Sequence, residues 1–174
     1  MKMGKLINKT KQLKARLVPL FEIFIGAILL IREIHDFIVL PTMKEVDKMY
    51  GGLVDMIKYK EDTYSSLYLW ILLLTTGVSY WINKKSYWIF TQILLITLFC
   101  IINFFLIGIW IVTHFNLIII ILLVLTLFLF IWLEIKIYKH NYWSEIEINN
   151  KTRYVSIILG IASCIIYFSI LLLL

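Results

Sequence analysis

Between Asp62 and Glu134 the chain carries only two formally charged residues, Lys84 and Lys85, and the apolar runs on either side are too long to be faces of a soluble domain. Segments of roughly 18 or more consecutive apolar residues read as membrane-spanning helices. Composition agrees: 61% of the 174 residues are hydrophobic and 16% charged, against about 45–50% and about 25% in an ordinary soluble domain. The chain reads as an all-α, polytopic transmembrane helix bundle whose first partner is the lipid bilayer.

The net charge of +6 does not make a nucleic-acid surface, because the basic residues lie between apolar spans, where they orient the chain and meet anionic headgroups. Residues 1–16 form a basic tail with six Lys/Arg and no acid. The run Leu17 to Ile31 follows, and Arg32-Glu33-Ile34-His35-Asp36 comes next rather than a small-residue cleavage site, as in an uncleaved signal anchor. Continued to about Leu40, this first helix is long enough to span, with Pro19 expected in its first turn. The further spans are read at about 64–82, 87–112, 115–133 and 154–174. The whole chain, 1–174, forms one transmembrane domain.

Residues 41–63 make an outer loop with a short amphipathic helix. Thr42-Met43-Lys44-Glu45 matches a capping box, and Met43, Val46, Tyr50, Leu53 and Ile57 recur at spacings of three and four, interrupted by Gly51-Gly52. The turns Asn83–Ser86 and Thr113-His114 are short enough to make their flanking helices antiparallel. Residues 134–153 form the remaining loop, where the alternation Glu145-Ile146-Glu147-Ile148 suggests a short strand.

Five spans with a cytoplasmic N-terminus place 12 Lys/Arg in 1–16, 83–86 and 134–153, and five outside, the latter accompanied by seven acids. That fits the positive-inside bias, and it makes Lys84 and Lys85 topology anchors. The alternative has four spans and an N-terminal interfacial helix. It scores 11 against six but leaves the bare Lys84-Lys85 turn outside. Charges close to span ends weigh most, so five spans are expected, with the C-terminus outside. Heavy use of Ile, Leu, Lys, Asn and Tyr suggests an AT-rich genome and a bacterial cytoplasmic membrane.

Candidate intramembrane polar residues are Glu22, Gln92 and Asn103, since ionisable or amide side chains in hydrocarbon are costly unless they are used. Glu22 shares a helix face with Gly26 and Glu33 and could serve as a proton- or cation-responsive carboxylate. It is also only about 9 Å from the cytoplasmic end and could reach water there. Gln92 and Asn103 fall nearly on one face and suit helix-to-helix hydrogen bonding. Ser156, Gly160 and Cys164 form a small-residue stripe for close helix packing, as Gly26 does on the first helix.

Glu33, His35, Asp36 and His114 lack diagnostic metal spacing, no histidine lies at mid-span for haem, and Cys100 and Cys164 read as buried apolar fillers. No catalytic, metal or cofactor constellation is expected. The leading expectation is a non-enzymatic accessory, regulatory or immunity-type membrane subunit acting through helix contacts, in a homo-oligomer or larger complex. The second is a small channel, pore-forming effector or transporter with Glu22 and the polar face of the third span lining a path.

Overall fold

The computed structural model describes residues 2–50, 59–60, 63–113, 117–139 and 148–172. Every regular element among them is an α-helix: α1 (Lys2–Val39), α2 (Met43–Tyr50), α3 (Thr63–Ile82), α4 (Lys84–Val112), α5 (Leu117–Lys139) and α6 (Asn150–Leu172). Four helices are long and apolar enough to cross a membrane: Thr63–Ile82, Lys84–Val112, Leu117–Lys136 and Asn150–Leu172. Together they are consistent with a helical membrane bundle. α1 is not among the four, because Glu22, Arg32 and Glu33 interrupt its apolar stretch. The chain divides into two compact units, Met1–Ile82 with Ile166–Leu174, and Asn83–Ile165.

In the first unit α1 and α3 pack antiparallel. Pro19 and Ile23 lie against Gly77, Gly26 lies against Leu74, and the Phe37 and Tyr64 rings meet at 5.3 Å. Glycine is required at the first crossing, where a Cβ on Gly77 would sit 2.8 Å from the Pro19 carbonyl oxygen, and the second is tight, with a Cβ on Gly26 placed 3.0 Å from the Leu74 nitrogen. Small residues at a helix interface let backbones approach in lipid, where no hydrophobic effect drives helices together. The hydroxyls of Thr76 and Ser79, buried on α3, bond back to Leu72 O and Thr76 O at 2.8 and 2.6 Å, which satisfies them within their own helix.

Proline lies further into the helix than the sequence suggests. α1 already runs from Lys2 through the basic tail, which puts Pro19 in mid-helix rather than in a first turn. A mid-helix proline forfeits one hydrogen bond and crowds the preceding turn; here the residue is buried and its carbonyl oxygen lies at the Gly77 crossing. Beyond α1 the capping box forms as read: Glu45 Oε2 accepts from Thr42 N at 2.8 Å and from Thr42 Oγ1 at 2.9 Å, and Glu45 N donates to Thr42 Oγ1 at 3.3 Å. Val46 is buried. Leu53 and Ile57, His114, and most of the Glu145–Ile148 alternation lie outside the described residues.

In the second unit α4 and α5 are antiparallel. Gln92 meets Glu134, Phe99 stacks on Phe130 at 4.4 Å, and Asn103 meets Thr126, a series that ascends α4 while descending α5. α6 packs against α4, with Gly160 beside Ile96 and Ser163 beside Thr97. Two asparagines set where these helices begin. Asn83 Oδ1 accepts from Lys85 N at 2.9 Å, and Asn149 Oδ1 accepts from Thr152 N and Oγ1 at 2.9 and 2.8 Å. Lys84 and Lys85 therefore occupy the first turn of α4 rather than a turn of four residues, and α6 starts at Asn150 rather than near 154.

Candidate functional site

Among the described residues, polar side chains inside the apolar helices are where chemistry within a membrane would be held, and α4 carries two amides, Gln92 and Asn103. Trp88 and Gln92 are 0% and 1% exposed, Thr97 is 0% exposed, and Asn103 is half-buried. Read along the helix, Gln92, Thr97 and Asn103 form three rungs over about 16 Å, each joined to a neighbouring helix.

At the first rung Gln92 Nε2 donates to both carboxylate oxygens of Glu134, at 2.8 and 3.1 Å, with the amide oriented by its partners. The second rung is a hydroxyl pair, Thr97 Oγ1 and Ser163 Oγ at 2.8 Å, and Thr97 Oγ1 donates to Ile93 O at 2.7 Å. At the third, Thr126 Oγ1 donates to Asn103 Oδ1 at 3.1 Å while Asn103 Nδ2 donates to Phe99 O at 2.8 Å. Hydrogen bonds between helices in a membrane average roughly 0.6 kcal/mol and reach about 1.7. Three rungs thus contribute on the order of 2–5 kcal/mol to holding α4 against α5 and α6.

Each residue singled out in the sequence has a definite place. Gln92 and Asn103 are both bonded to α5, so the two amides face one neighbour. Ser156 and Gly160 are buried on α6, and a Cβ on Gly160 would come within 2.7 Å of Ile96 Cδ1, which puts the small-residue stripe against α4. Cys164 Sγ lies 3.7 Å from Ile96 O on that same surface, and both cysteines are free thiols. In the other unit, Gly26 contacts α3, Glu33 is buried, and Glu22 is half-buried with its Oε2 enclosed. Glu22 and the α4 amides belong to different units. Lys84 and Lys85 are exposed at the start of α4.

Glu134 is the residue the sequence did not point to. It falls at the boundary where an apolar run gives way to a loop, and it reads there as the first loop residue. The helix instead continues to Lys139, which carries Glu134 back alongside Gln92. The available signal was the buried amide itself: a glutamine in hydrocarbon requires a partner, and Glu134 is the acid at the matching depth on the antiparallel neighbour.

Outside the spans, the backbone N–H of Thr42, and after it the Thr42 hydroxyl, hold the Glu45 carboxyl below its ordinary value of 4.5. Among the described residues no three His, Cys, Asp or Glu side chains are grouped to hold a metal ion. No protein family, curated protein or solved structure matches the chain.

Proposed function

We propose that this protein is a non-enzymatic membrane subunit, of an accessory, regulatory or immunity type, that works through contacts of its helices in a homo-oligomer or larger complex. The observation that carries this reading is how the polar side chains of α4 are used. Gln92, Thr97 and Asn103 are hydrogen-bonded to neighbouring helices of the same chain, while the outer face of α5 is left as continuous exposed hydrocarbon, from Leu117 through Leu125 and Phe128 to Ile131. Such a face meets lipid or the helices of another subunit. A conducting path would need the amides of α4 turned toward water.

The accompanying topology has five spans in a bacterial cytoplasmic membrane, N-terminus cytoplasmic and C-terminus outside. Its support is the antiparallel packing of α1 on α3 from Pro19 to Phe37, which is a span's length of contact with a helix able to cross. The second reading, a small channel or transporter, rests on the half-buried carboxylate Glu22.

Cysteines placed singly along the outer face of α5, at Val124 and Phe128, test the first reading in native membranes. Oxidative cross-linking should yield a species heavier than the 20.7 kDa chain at one of these positions. A protein that stays monomeric at both, and at controls on α4, counts against a subunit role. Liposome flux separates the second reading: reconstituted protein should pass no ion or small solute, and a flux lost in Glu22→Gln would replace the subunit reading with the channel.

A further inference from the structure

The chain's two cysteines lie on the seam between α4 and α6, one on each helix. Gly160 closes the gap there: a Cβ on it would sit 3.0 Å from Ile96 Cβ, so the two Cα atoms are no more than about 6 Å apart. Cys100 and Cys164 each stand four residues, about one helical turn, beyond that contact. The structure brings their thiols together. Cys164 has the Cys100 thiol and the Thr97 hydroxyl as side-chain hydrogen-bonding neighbours, and its S–H donates to Ile96 O at 3.7 Å. Thr97, on the same stretch of α4, is bonded at 2.8 Å to Ser163, which precedes Cys164. α4 thus offers Ile96, Thr97 and Cys100 to one seam, and α6 offers Gly160, Ser163 and Cys164.

A cysteine that serves only as a small apolar filler has no need of a second thiol beside it. Two thiols that meet can join, and a disulfide bridges Cα atoms about 4.4–6.8 Å apart, the separation that Gly160 sets one turn away. Depth decides which chemistry suits the pair. From Lys84 to Cys100 α4 rises roughly 24 Å, which is far into a hydrocarbon layer about 30 Å thick. A monovalent metal ion held by two thiolates would leave a net negative charge there, and a divalent ion needs three or four ligands. Among the described residues no three His, Cys, Asp or Glu side chains are grouped. A disulfide is neutral and needs nothing more from the protein.

The oxidant must reach the same depth, which selects a two-electron acceptor soluble in lipid. Cys164 is 6% exposed, whereas Cys100 is half-buried. Cys100 is therefore the sulfur that a molecule in the acyl layer meets first.

We propose that Cys100 and Cys164 are an intramembrane dithiol that a bilayer-dissolved quinone oxidises to a disulfide, clasping α4 to α6. Both S–H bonds break and one S–S bond forms; the two protons and two electrons pass to the quinone, which leaves as the quinol. The bond is internal to the second unit, so the proposal holds whether the chain acts as a subunit or as a channel.

The test uses the full-length protein, reduced and reconstituted in phosphatidylcholine vesicles, with a fully ring-substituted benzoquinone in the bilayer. Thiols are counted by mass spectrometry after alkylation in denaturing detergent. Wild type should fall from two alkylated cysteines per chain to none, lose the mass of two hydrogens, form one quinol per chain, and yield peptides joined through Cys100 and Cys164. Ferricyanide, which is charged and confined to water, should leave both cysteines open to alkylation. Cys100→Ser and Cys164→Ser should each keep the remaining thiol and form no quinol. Two alkylated cysteines in wild type after quinone treatment would overturn the proposal. So would a covalent dimer in place of the internal link, a quinone adduct, oxidation by ferricyanide at the same rate, or quinol formation by either serine variant. The wild-type result decides by itself if a serine variant fails to fold.

Discussion

Gly77 is the position where one added methyl should do most harm, and the structure gives the size of the effect. A Cβ at Gly77 would lie 2.7 Å from Ile23 Cγ1, 2.8 Å from Pro19 O and 2.9 Å from Ile23 N. Two of these three are backbone atoms, which no rotamer change can remove. Carbon contacts relax at about 3.5–4.0 Å, so α1 must withdraw from α3 by roughly 0.6–1 Å, and a gap of that size forfeits about a quarter to a half of each dispersion contact along the interface. Overpacking of this kind costs about 1–3 kcal/mol. Gly108 is the matched control, since a Cβ there meets nothing within 4 Å. Gly108→Ala should be neutral, or stabilising by up to the ~1 kcal/mol that alanine gains over glycine in a helix. Reversible unfolding in mixed micelles, with denaturing detergent titrated and helicity followed by circular dichroism, measures both. If Gly77→Ala and Gly108→Ala agree within about 0.5 kcal/mol, the close α1–α3 crossing is not what holds the first unit together.

A double-mutant cycle on Gln92→Leu and Glu134→Leu should give a coupling of about 1–2 kcal/mol, with each single variant less stable than the pair of changes together; additive effects would dissolve the first rung. Acid should weaken α2: a carboxyl held below its ordinary 4.5 stabilises the fold above that value and loses its contribution as pH falls through the lowered folded one. Protection of the α2 amides, corrected for the intrinsic exchange rate, should therefore fall below about pH 4.5 in wild type and stay level in Glu45→Gln, and a profile unchanged by the substitution would locate the acid response elsewhere. For topology, Lys84→Cys should resist a membrane-impermeant maleimide added to intact cells and react after permeabilisation, together with a tag at the N-terminus; labelling from outside would favour four spans.

What the sequence made legible was whatever depends on local chemistry. The apolar runs between Asp62 and Glu134 define where α3, α4 and α5 lie, since no other arrangement of those residues avoids water. Thr42 and Glu45 announce α2 because both halves of the capping box are within four residues of each other. Helix ends were less clear. Asn83 and Asn149 move the starts of α4 and α6 earlier than hydropathy suggests, because a capped helix can begin in polar residues. The basic stretch before Pro19 is helical for the related reason that lysine is a good helix former and costs nothing in water. Least legible were the pairings. That Gly77 would receive Pro19, or that Glu134 would return to Gln92, depends on which helices are neighbours and in what register, and residue spacing within one helix does not contain that information.

The two units are held by different means, and the difference bears on function. α1 and α3 meet at close glycine crossings, with the Thr76 and Ser79 hydroxyls of α3 bonded back to their own helix. α4 adheres to α5 and α6 through directional bonds at three depths. Directional bonds in hydrocarbon fix register, because sliding by one residue strands a buried amide or hydroxyl with no water to replace its partner. α4 is therefore locked in rotation as well as position, which keeps its polar groups inward and its remaining surface apolar. A pore-lining helix needs the reverse, polar groups free to exchange between protein and water at little cost. To open a path along α4, all three rungs would have to break together, and each freed group would have to find water at the moment it lost its partner. A subunit that offers neighbouring helices an unchanging apolar face asks nothing of the kind.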